Sequence, residues 1–329
     1  MLRPLLLACA TALVALAVAM LVLQVAATTD ASDPPYVRTD RAVKLRLLKR
    51  LPRAPQLLLL GGSRATRFEP AYFEQLTGLR GFNLAFQNGR PEDAWAFVNF
   101  IHARFPSTKL RVVWFLQVEA FRTQALSFGL LQEGSLSRWF PASLLESERK
   151  NLPRSPSEVP KGRERDLALT RFGADGVVLR NRYDIVEERG RPLSRSVDGS
   201  IKAALERYAT TESALDPRAQ RYFERTLRLL SQMGTTQAVV LMPLHPRLLA
   251  AVRSAGWEER HDEVMTYLTE IQGRYGFGLL DCSDLATFHG DQQQFYDGFH
   301  VKRANARKLT RSVVARLPAV FAETADTRP

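Results

Sequence analysis

Five short apolar segments, separated by segments with helical patterns, constrain the fold of this chain more than any other feature of its sequence. The apolar segments are Gln56–Leu60, Gly81–Phe86, Leu110–Leu116, Ala238–Leu244 and Phe277–Cys282. Strands that are buried on both faces of a parallel sheet have this nearly continuous apolar character. Helical patterns occupy Glu69–Leu76, Pro91–Arg104, Pro217–Met233, Asp262–Tyr275 and Asn305–Leu317. The alternation predicts an α/β fold, a three-layer (α/β/α) sandwich built on a five-stranded parallel sheet.

This alternation stops between the third and the fourth predicted strands. Residues 118–215 show no comparable repeat of strand and helix, and Glu146–Asp166 is polar, contains prolines and is dense in both charges. Such a composition favours a surface loop. Because long insertions on a rigid scaffold often carry specificity, we expect residues 118–215 to be a lid or specificity segment inserted in a single domain over residues 54–320.

The N-terminus is apolar over a length that suits a membrane. Leu5–Leu23 is apolar or small without interruption and is preceded by Arg3. As a helix, this run would be about 28 Å long, close to the hydrocarbon thickness of a bilayer and longer than the apolar core of a typical signal peptide. We therefore predict an uncleaved signal-anchor, one transmembrane helix within residues 1–29, followed by a basic linker over residues 30–53. A cleaved signal peptide is the alternative, because Val25–Ala27 offers small residues to a signal peptidase.

The chain is basic, with 46 Lys and Arg against 34 Asp and Glu and a formal net charge of +12. This balance suits either an ordinary basic surface or attraction to an anionic polymer or lipid headgroups. The sequence has neither zinc-finger spacing nor an aromatic RNA-binding motif, so we expect no nucleic-acid partner. The only cysteines are Cys9, in the apolar N-terminus, and Cys282. This excludes a disulfide within the domain and a cysteine-rich zinc site.

Small and polar residues follow the predicted strands. In open parallel sheets, ligands bind outside the carboxyl ends of the strands, so these residues are expected to share one edge. They are Ser63 with Arg64, then Asn88, Gly89 and Arg90, then Gln117, then His245, and finally Asp297 and His300. Together they supply what acyl transfer requires: a nucleophile, a base, an orienting carboxylate and donors to an oxyanion.

Each of these residues also has a plainer interpretation. Ser63 could cap a helix after a tight turn, and Gly89 could serve a turn of its own. His245, between two prolines, could be a packed loop histidine. Asp297 and His300 could cap a helix or bind a metal, but no further ligand lies nearby at metal-site spacing, so no metal is expected. The glycines before the serine are not followed by Lys-Ser/Thr, and G-x-G-x-x-G is absent, so no cofactor is expected.

In combination, three segments resemble the SGNH hydrolase superfamily of GDSL-type esterases and related envelope acyltransferases. Gly62-Ser63-Arg64 is similar to the serine block of that family, and Asn83–Gly89 is similar to its glycine block. Asp297-Gly298-Phe299-His300 matches the Asp-x-x-His that precedes the last helix. The resemblance covers about Leu57–Val314 apart from the middle segment, and it implies the flavodoxin-like SGNH fold.

Two longer phrases narrow the resemblance to one branch. With the N-terminal anchor, Met242–Pro246 (MPLHP) and Phe295–His300 (FYDGFH) resemble bacterial membrane-anchored SGNH-like proteins. These are similar in layout to the D-alanine transfer protein of lipoteichoic acid synthesis. The resemblance implies an esterase or O-acyltransferase that acts on a cell-envelope ester or polysaccharide through an acyl-serine intermediate. Its implied partners are an anionic envelope polymer or an acylated small molecule, the membrane, and a membrane acyl-transfer protein.

The family pattern also implies a role for each site residue. Ser63 would be the nucleophile, His300 the general base and Asp297 the orienting carboxylate. The backbone N–H groups of Ser63 and Gly89, helped by Gln117, would form the oxyanion hole. Residues that could contact substrate are Arg64, Asn88, Arg90 and His245.

The sequence also departs from the family pattern. The serine block reads Gly-Gly-Ser-Arg rather than Gly-Asp-Ser, and the Gly-x-Asn-Asp block is missing, with Gln117 near the position of its Asn. Losing one oxyanion donor typically costs about 10²–10³ in rate. The alternative function is therefore a non-catalytic, membrane-tethered module that binds an envelope polymer or an assembly partner. The presence of Ser63, Asp297 and His300 together favours the enzyme.

The charges that flank the apolar run and the family resemblance predict opposite sides of the membrane for the domain. Arg3 alone precedes the apolar run, whereas Arg38, Arg41, Lys44 and Arg46 follow it, and the positive-inside rule would leave the domain in the cytoplasm. Long domains translocate largely regardless of such charges, and the anchored relatives face outward. We therefore expect a single-pass protein of the cytoplasmic membrane with its domain on the periplasmic or extracytoplasmic side and a short tail at residues 321–329.

Overall fold

The structure is a computed structural model that describes residues 39–106, 108–150, 168–209 and 214–322. The predicted signal-anchor and cleavage site, most of the predicted tail and most of the predicted loop at 146–166 lie outside the described residues. Among the helices in the described ranges, none is both long enough and apolar enough to cross a bilayer.

A five-stranded parallel sheet forms the centre of the protein, which confirms the predicted α/β fold with a five-stranded parallel sheet. Its strands are β1 (Leu57–Gly61), β2 (Gly81–Ala85), β3 (Arg111–Leu116), β6 (Thr236–Leu241) and β7 (Gly278–Asp281). They are arranged in the order β2-β1-β3-β6-β7. A separate antiparallel pair, β4 (Arg171–Phe172) and β5 (Val178–Arg180), lies in the inserted segment. The carboxyl ends of the five parallel strands therefore form one edge, as expected.

The helices alternate with the strands of the sheet. In the first half of the domain they are α1 (Asp40–Arg50), α2 (Pro70–Thr77) and α3 (Pro91–Arg104). The inserted segment contributes α4 (Phe128–Leu131), α5 (Gly134–Ser137), α6 (Ala142–Arg149), α7 (Arg182–Glu188) and α8 (Leu193–Ala209). The second half contributes α9 (Pro217–Gln232), α10 (Pro246–Val252), α11 (Glu258–Tyr275), α12 (Arg303–Arg316) and α13 (Pro318–Phe321).

Side chains of strand β1 alternate between two hydrophobic cores. Leu58 and Leu60 belong to a cluster that includes residues of α3, α9 and α11. Leu57 and Leu59 belong to a second cluster that includes residues of α2, α12 and α13. All four leucines are at most 1% exposed, because helices cover both faces of the sheet. The arrangement is consistent with a three-layer sandwich.

Part of the segment predicted as a basic linker, residues 30–53, is helix α1. Its apolar residues Ala42, Leu45 and Leu48 recur on one face and are buried. Arg41 is also buried, and its Nε and Nη2 donate to the two carboxylate oxygens of Asp93, each at 2.8 Å. The basic residues that suggested a linker thus include internal ion-pair partners, a distinction that residue type alone does not reveal.

The inserted segment covers the edge strand β2. Asn83 N in β2 donates to the carbonyl oxygen of Asp175 at 2.8 Å. The turn at Gly176 packs so closely that a Cβ there would lie 2.4 Å from Asn83 O, and its φ of +80° favours glycine. The insertion therefore protects a sheet edge that would otherwise expose unpaired backbone groups.

Candidate active site

Ser63, His300 and Asp297 form a continuous hydrogen-bonded chain at the carboxyl edge of the sheet. His300 Nε2 lies 3.0 Å from Ser63 Oγ, across 237 positions of sequence. His300 Nδ1 lies 2.9 Å from Asp297 Oδ2 and 3.0 Å from Asp297 Oδ1. All three residues are half-buried. The fold thus brings together the three residues that the sequence nominated as nucleophile, base and orienting carboxylate.

Glycines at the end of β1 place Ser63 at this edge. A Cβ on Gly61, whose φ is +154°, would lie 2.6 Å from the carbonyl oxygen of Phe115 in the neighbouring strand. After Gly62, the chain makes a single 3₁₀ turn at Ser63–Ala65. Ser63 is the first residue of that turn, and its N–H donates to no acceptor in the described part of the chain. This N–H is therefore available to a ligand beside the hydroxyl.

A tight loop orients Asp297 and His300. The loop is closed by an isolated antiparallel bridge between Phe295 and Val301, both buried. Inside it, Asp297 Oδ1 accepts the N–H of Phe299 at 2.7 Å and that of His300 at 2.8 Å. The aspartate therefore fixes the loop backbone and the imidazole together.

These bonds also determine the charge of Asp297. Burial alone would raise the pKa of its carboxyl group, but the neighbouring His300 and the two backbone N–H groups outweigh burial and lower the pKa below its usual range. Asp297 is thus a carboxylate at neutral pH. An ionised partner on Nδ1 holds the imidazole in the tautomer whose Nε2 lone pair faces Ser63, and it stabilises the imidazolium that forms when Ser63 gives up its proton.

Gln117 lies where an oxyanion donor is needed. It directly follows β3, and a Cβ on Gly62 would come within 2.1 Å of its Nε2. The amide therefore lies against the backbone just before Ser63. Its side chain makes no hydrogen bond to residues 39–106, 108–150, 168–209 or 214–322. The Ser63 N–H and this amide are two donors available for the negative charge of a tetrahedral intermediate.

Gly89 does not have the unbonded N–H group that its predicted role as an oxyanion donor requires. Its N–H donates to the carbonyl oxygen of Phe86 at 3.0 Å, closing a turn in which Asn88 has a left-handed φ of +51°. A Cβ on Gly89 would lie 2.3 Å from Gly61 O. The glycine is thus required by a tight turn and by close contact with the end of β1, and its N–H is already used. Asn88 itself is exposed.

Arg64, predicted as a substrate contact, is instead a buried structural cation. Its Nη2 donates to both carboxylate oxygens of Glu119, at 3.0 and 3.1 Å, and its side chain is 3% exposed. Tyr208 from α8 adds a hydrogen bond to Glu119 at 3.0 Å. Burial would raise the pKa of Glu119, but Arg64 and the other bonds lower it overall. The pair joins the serine turn to the segment after β3.

Arg90 and His245, also predicted as substrate contacts, bond instead to other residues of the protein. Arg90 donates to Arg122 O at 2.7 Å and lies 3.5 Å from carboxylate oxygens of both Glu92 and Asp216. His245 is 5% exposed, and its Nδ1 accepts the N–H of Arg247 at the start of α10. Burial, with the charge of Arg247, lowers the pKa of His245. His245 is therefore the packed loop histidine that the sequence left open.

Two site residues have no signal in the sequence, Tyr183 and Arg67. Tyr183 Oη lies 3.2 Å from His300 Nε2. Arg67 donates to the carbonyl oxygens of Val178 and Leu179 at 3.0 and 2.8 Å, which ties the insertion to the serine turn. Both contacts cross more than a hundred positions, so no local motif could have identified them.

Within the described ranges, no three His, Cys, Asp or Glu side chains come together as a metal site would require. No protein-family model matches the chain, and no curated protein matches it in sequence.

Proposed function

We propose that the chain is a serine esterase or O-acyltransferase of the SGNH type that works through an acyl-serine intermediate. The observation that supports this most strongly is the chain of hydrogen bonds from Ser63 through His300 to Asp297, at 3.0 and 2.9 Å. These distances are within hydrogen-bond reach for a nucleophile, its base and the base's orienting group. The order along the chain, with Ser63 after the first strand and Asp297-x-x-His300 before α12, agrees with the SGNH pattern.

In the first half-reaction, Ser63 Oγ attacks the carbonyl carbon of an ester, and its proton passes to His300 Nε2. Asp297 stabilises the imidazolium, while the Ser63 N–H and the Gln117 amide donate to the oxyanion. When the bond to the alcohol breaks, His300 returns the proton to the leaving oxygen. The acyl group then remains on Ser63.

In the second half-reaction, a hydroxyl attacks the acyl carbon. Its proton passes to His300 and then to Ser63 Oγ as the acyl–serine bond breaks. Water as the attacking group gives a free acid, and a sugar or polymer hydroxyl gives a new ester. Both halves use groups of the chain itself.

We place this activity at the cell envelope. The apolar run Leu5–Leu23 would tether the domain on the periplasmic or extracytoplasmic side of the cytoplasmic membrane. The substrate would be an envelope ester or polysaccharide, with an acylated small molecule or a membrane acyl-transfer protein as donor. Because Arg64 and Arg90 lie in internal ion pairs, an anionic polymer would have to be held by exposed cations such as Arg182.

A fluorophosphonate probe tests the proposal on the detergent-solubilised full chain. The probe phosphonylates only activated serines, so we expect labelling at Ser63, mapped by mass spectrometry of the peptide that contains it. Ser63→Ala and His300→Ala should both abolish it. His261→Ala is the matched control, because His261 also pairs with an aspartate, Asp281, at 2.8 Å but lies outside this site. Equal labelling of wild type and His300→Ala would contradict the proposal.

One observation favours the alternative of a non-catalytic binding module. The Gly89 N–H donates to Phe86 O, so the oxyanion hole has one donor fewer than the resemblance implies. In that case the folded wild type would not react with the probe, and binding to an envelope polymer would be retained by Ser63→Ala.

A further inference from the structure

The inserted segment brings a second hydroxyl to the catalytic base. Tyr183 Oη lies 3.2 Å from His300 Nε2, the same nitrogen that lies 3.0 Å from Ser63 Oγ. The Tyr183 ring lies over the imidazole, with ring centroids 4.4 Å apart and an interplanar angle of 31°. His300 Nε2 therefore has two hydroxyl neighbours, one on the nucleophile and one on the insertion.

The neighbouring arginine and the tautomer of His300 together favour the Tyr183 hydroxyl as the donor to His300. Arg182 Nη2 donates to Tyr183 Oη at 3.2 Å, and a guanidinium group cannot accept a hydrogen bond. The Tyr183 proton is thus directed to another acceptor, and the His300 Nε2 lone pair lies within reach. With Nδ1–H directed at Asp297, Nε2 has a single lone pair for which Ser63 and Tyr183 compete.

The residues that flank Tyr183 bond to the segment just after the serine turn. The Tyr183 N–H donates to Asn181 Oδ1 at 2.9 Å, at the start of α7. Arg67, four residues after Ser63, donates to the same Asn181 Oδ1 and also to the carboxylate of Asp184. The start of α7, which carries the phenol, is therefore bonded to the segment just after the serine turn.

The consequence appears after Ser63 is acylated. The ester oxygen of the acyl-enzyme carries no proton, so Tyr183 becomes the hydroxyl that remains bonded to His300 Nε2. Its oxygen lies 3.2 Å from Nε2, within the hydrogen-bond distance at which an attacking water would have to give its proton to the base. An attacking hydroxyl must first displace this hydrogen bond, and a larger acceptor with contacts of its own can offset that loss better than water can.

We propose that Tyr183 is a positioning residue that acts through His300 to protect the acyl-enzyme from water, so that the site transfers its acyl group to a carbohydrate or other alcohol acceptor rather than hydrolysing it. This inference rests on the proposed function. In the transfer step, the acceptor oxygen bonds to the acyl carbon, the bond from that carbon to Ser63 Oγ breaks, and the acceptor's proton passes through His300 to Ser63 Oγ.

The ratio of the transfer product to the hydrolysis product tests this role of Tyr183. The detergent-solubilised full chain is given p-nitrophenyl acetate with glycerol as the acceptor, and acetylglycerol and acetate are counted together with the nitrophenol burst. Tyr183→Phe keeps the ring and removes only the competing hydroxyl. One neutral hydrogen bond corresponds to a factor of about 2–10, so we expect Tyr183→Phe to lower the ratio of transfer to hydrolysis by about that factor and to raise steady-state acetate release. A nitrophenol burst should still be seen, which would show that Ser63 is acylated in the variant. Tyr183→Ala, which also removes the ring, should lower the ratio further.

The matched control is Tyr72→Phe, which removes a hydroxyl bonded to Arg311 on the surface. It should leave the product ratio unchanged. A Tyr183→Phe ratio equal to or above that of wild type, with the burst retained, would overturn this inference alone. Absence of a burst in wild type, together with no acyl group on Ser63, would overturn the proposed function and this inference with it.

Discussion

The described part of the chain contains two histidine–aspartate pairs, and they differ in which group lies beside the second nitrogen of the imidazole. His300 bonds to Asp297 through Nδ1 and faces the Ser63 hydroxyl through Nε2, at 3.0 Å. His261 bonds to Asp281, the last residue of β7, through Nε2 at 2.8 Å, and its Nδ1 lies 3.3 Å from Asp262. One imidazole thus lies between a carboxylate and the hydroxyls of Ser63 and Tyr183, and the other lies between two carboxylates.

The carboxylates around His261 favour its protonated form, which does not serve as a base. The hydrogen bond from His261 to Asp281 and the nearby carboxylate charges outweigh burial and raise the pKa of His261. Its ring also stacks on Trp257, with centroids 4.8 Å apart. The raised pKa favours the protonated form of the ring, which has no lone pair to accept a proton. The pairing with aspartate is therefore common to both sites, and the neighbouring hydroxyl distinguishes the catalytic candidate.

The largest expected effect separates the two aspartates. Asp297→Asn should lower kcat/KM for an activated ester by about 10⁴, because an amide neither holds the required tautomer nor stabilises the imidazolium. Asp281→Asn, the equivalent change in the other pair, should leave kcat/KM within about twofold. Steady-state kinetics of both variants tests the comparison. Comparable losses from the two substitutions would show that the pairs are not functionally distinct.

Removal of the side-chain oxyanion donor should have the next largest effect. Gln117→Ala should lower kcat by about 10²–10³ and leave KM nearly unchanged, since the amide donates mainly in the transition state. Gln87→Ala, at an exposed glutamine at the same edge, is the control and should behave as wild type. A Gln117→Ala enzyme with wild-type kcat would contradict the role of this amide as an oxyanion donor.

Asp281→Asn should affect the stability of the protein more than its activity. Asp281→Asn should lower the free energy of unfolding by about 1–2 kcal/mol, because it weakens a charge-assisted hydrogen bond that is only partly exposed. Urea unfolding followed by circular dichroism, with the activity of the same preparation, checks both halves of the expectation. A loss of activity without a loss of stability would reverse the assignment of the two pairs.

The smallest expected effect is the pH dependence of the His261 contribution. A pKa that is raised in the folded state stabilises the protein below the unfolded value of about 6.5, and this stabilisation is lost as the pH rises through the folded value. The stability difference between wild type and His261→Gln should therefore be larger at pH 5.5 than at pH 9, by up to about 1 kcal/mol. A difference that grows with pH would contradict the charged interpretation.

The sheet could be predicted from the sequence because its signals are local. The run Leu57–Leu60 is apolar at every position, which indicates burial on both faces wherever the rest of the chain lies. Once the strands are recognised, the rule that ligands bind at their carboxyl ends brings Ser63, Gln117 and His300 to one edge. Pro91 with acidic residues after it likewise indicates the start of α3.

Pairing between distant residues could not be predicted in this way. In the sequence, Arg64 cannot be distinguished from an arginine that binds substrate, and only the fold reveals Glu119 beside it. The Gly89 N–H could be assigned to a turn only after the left-handed conformation of Asn88 was known. Tyr183 reaches His300 through an insertion with no periodic pattern. Charge and residue type indicate what a side chain can do, and tertiary packing determines which partner it has.

Direct detection of an acyl group on Ser63 tests the central claim most directly. The full chain would be mixed with p-nitrophenyl acetate, quenched in acid within the burst, and digested for peptide mass spectrometry. We predict acetylation of the peptide that contains Ser63 in wild type and in His261→Gln, and none in Ser63→Ala or His300→Ala. An unacetylated Ser63 in folded wild type, or acetylation that persists in His300→Ala, would contradict the account.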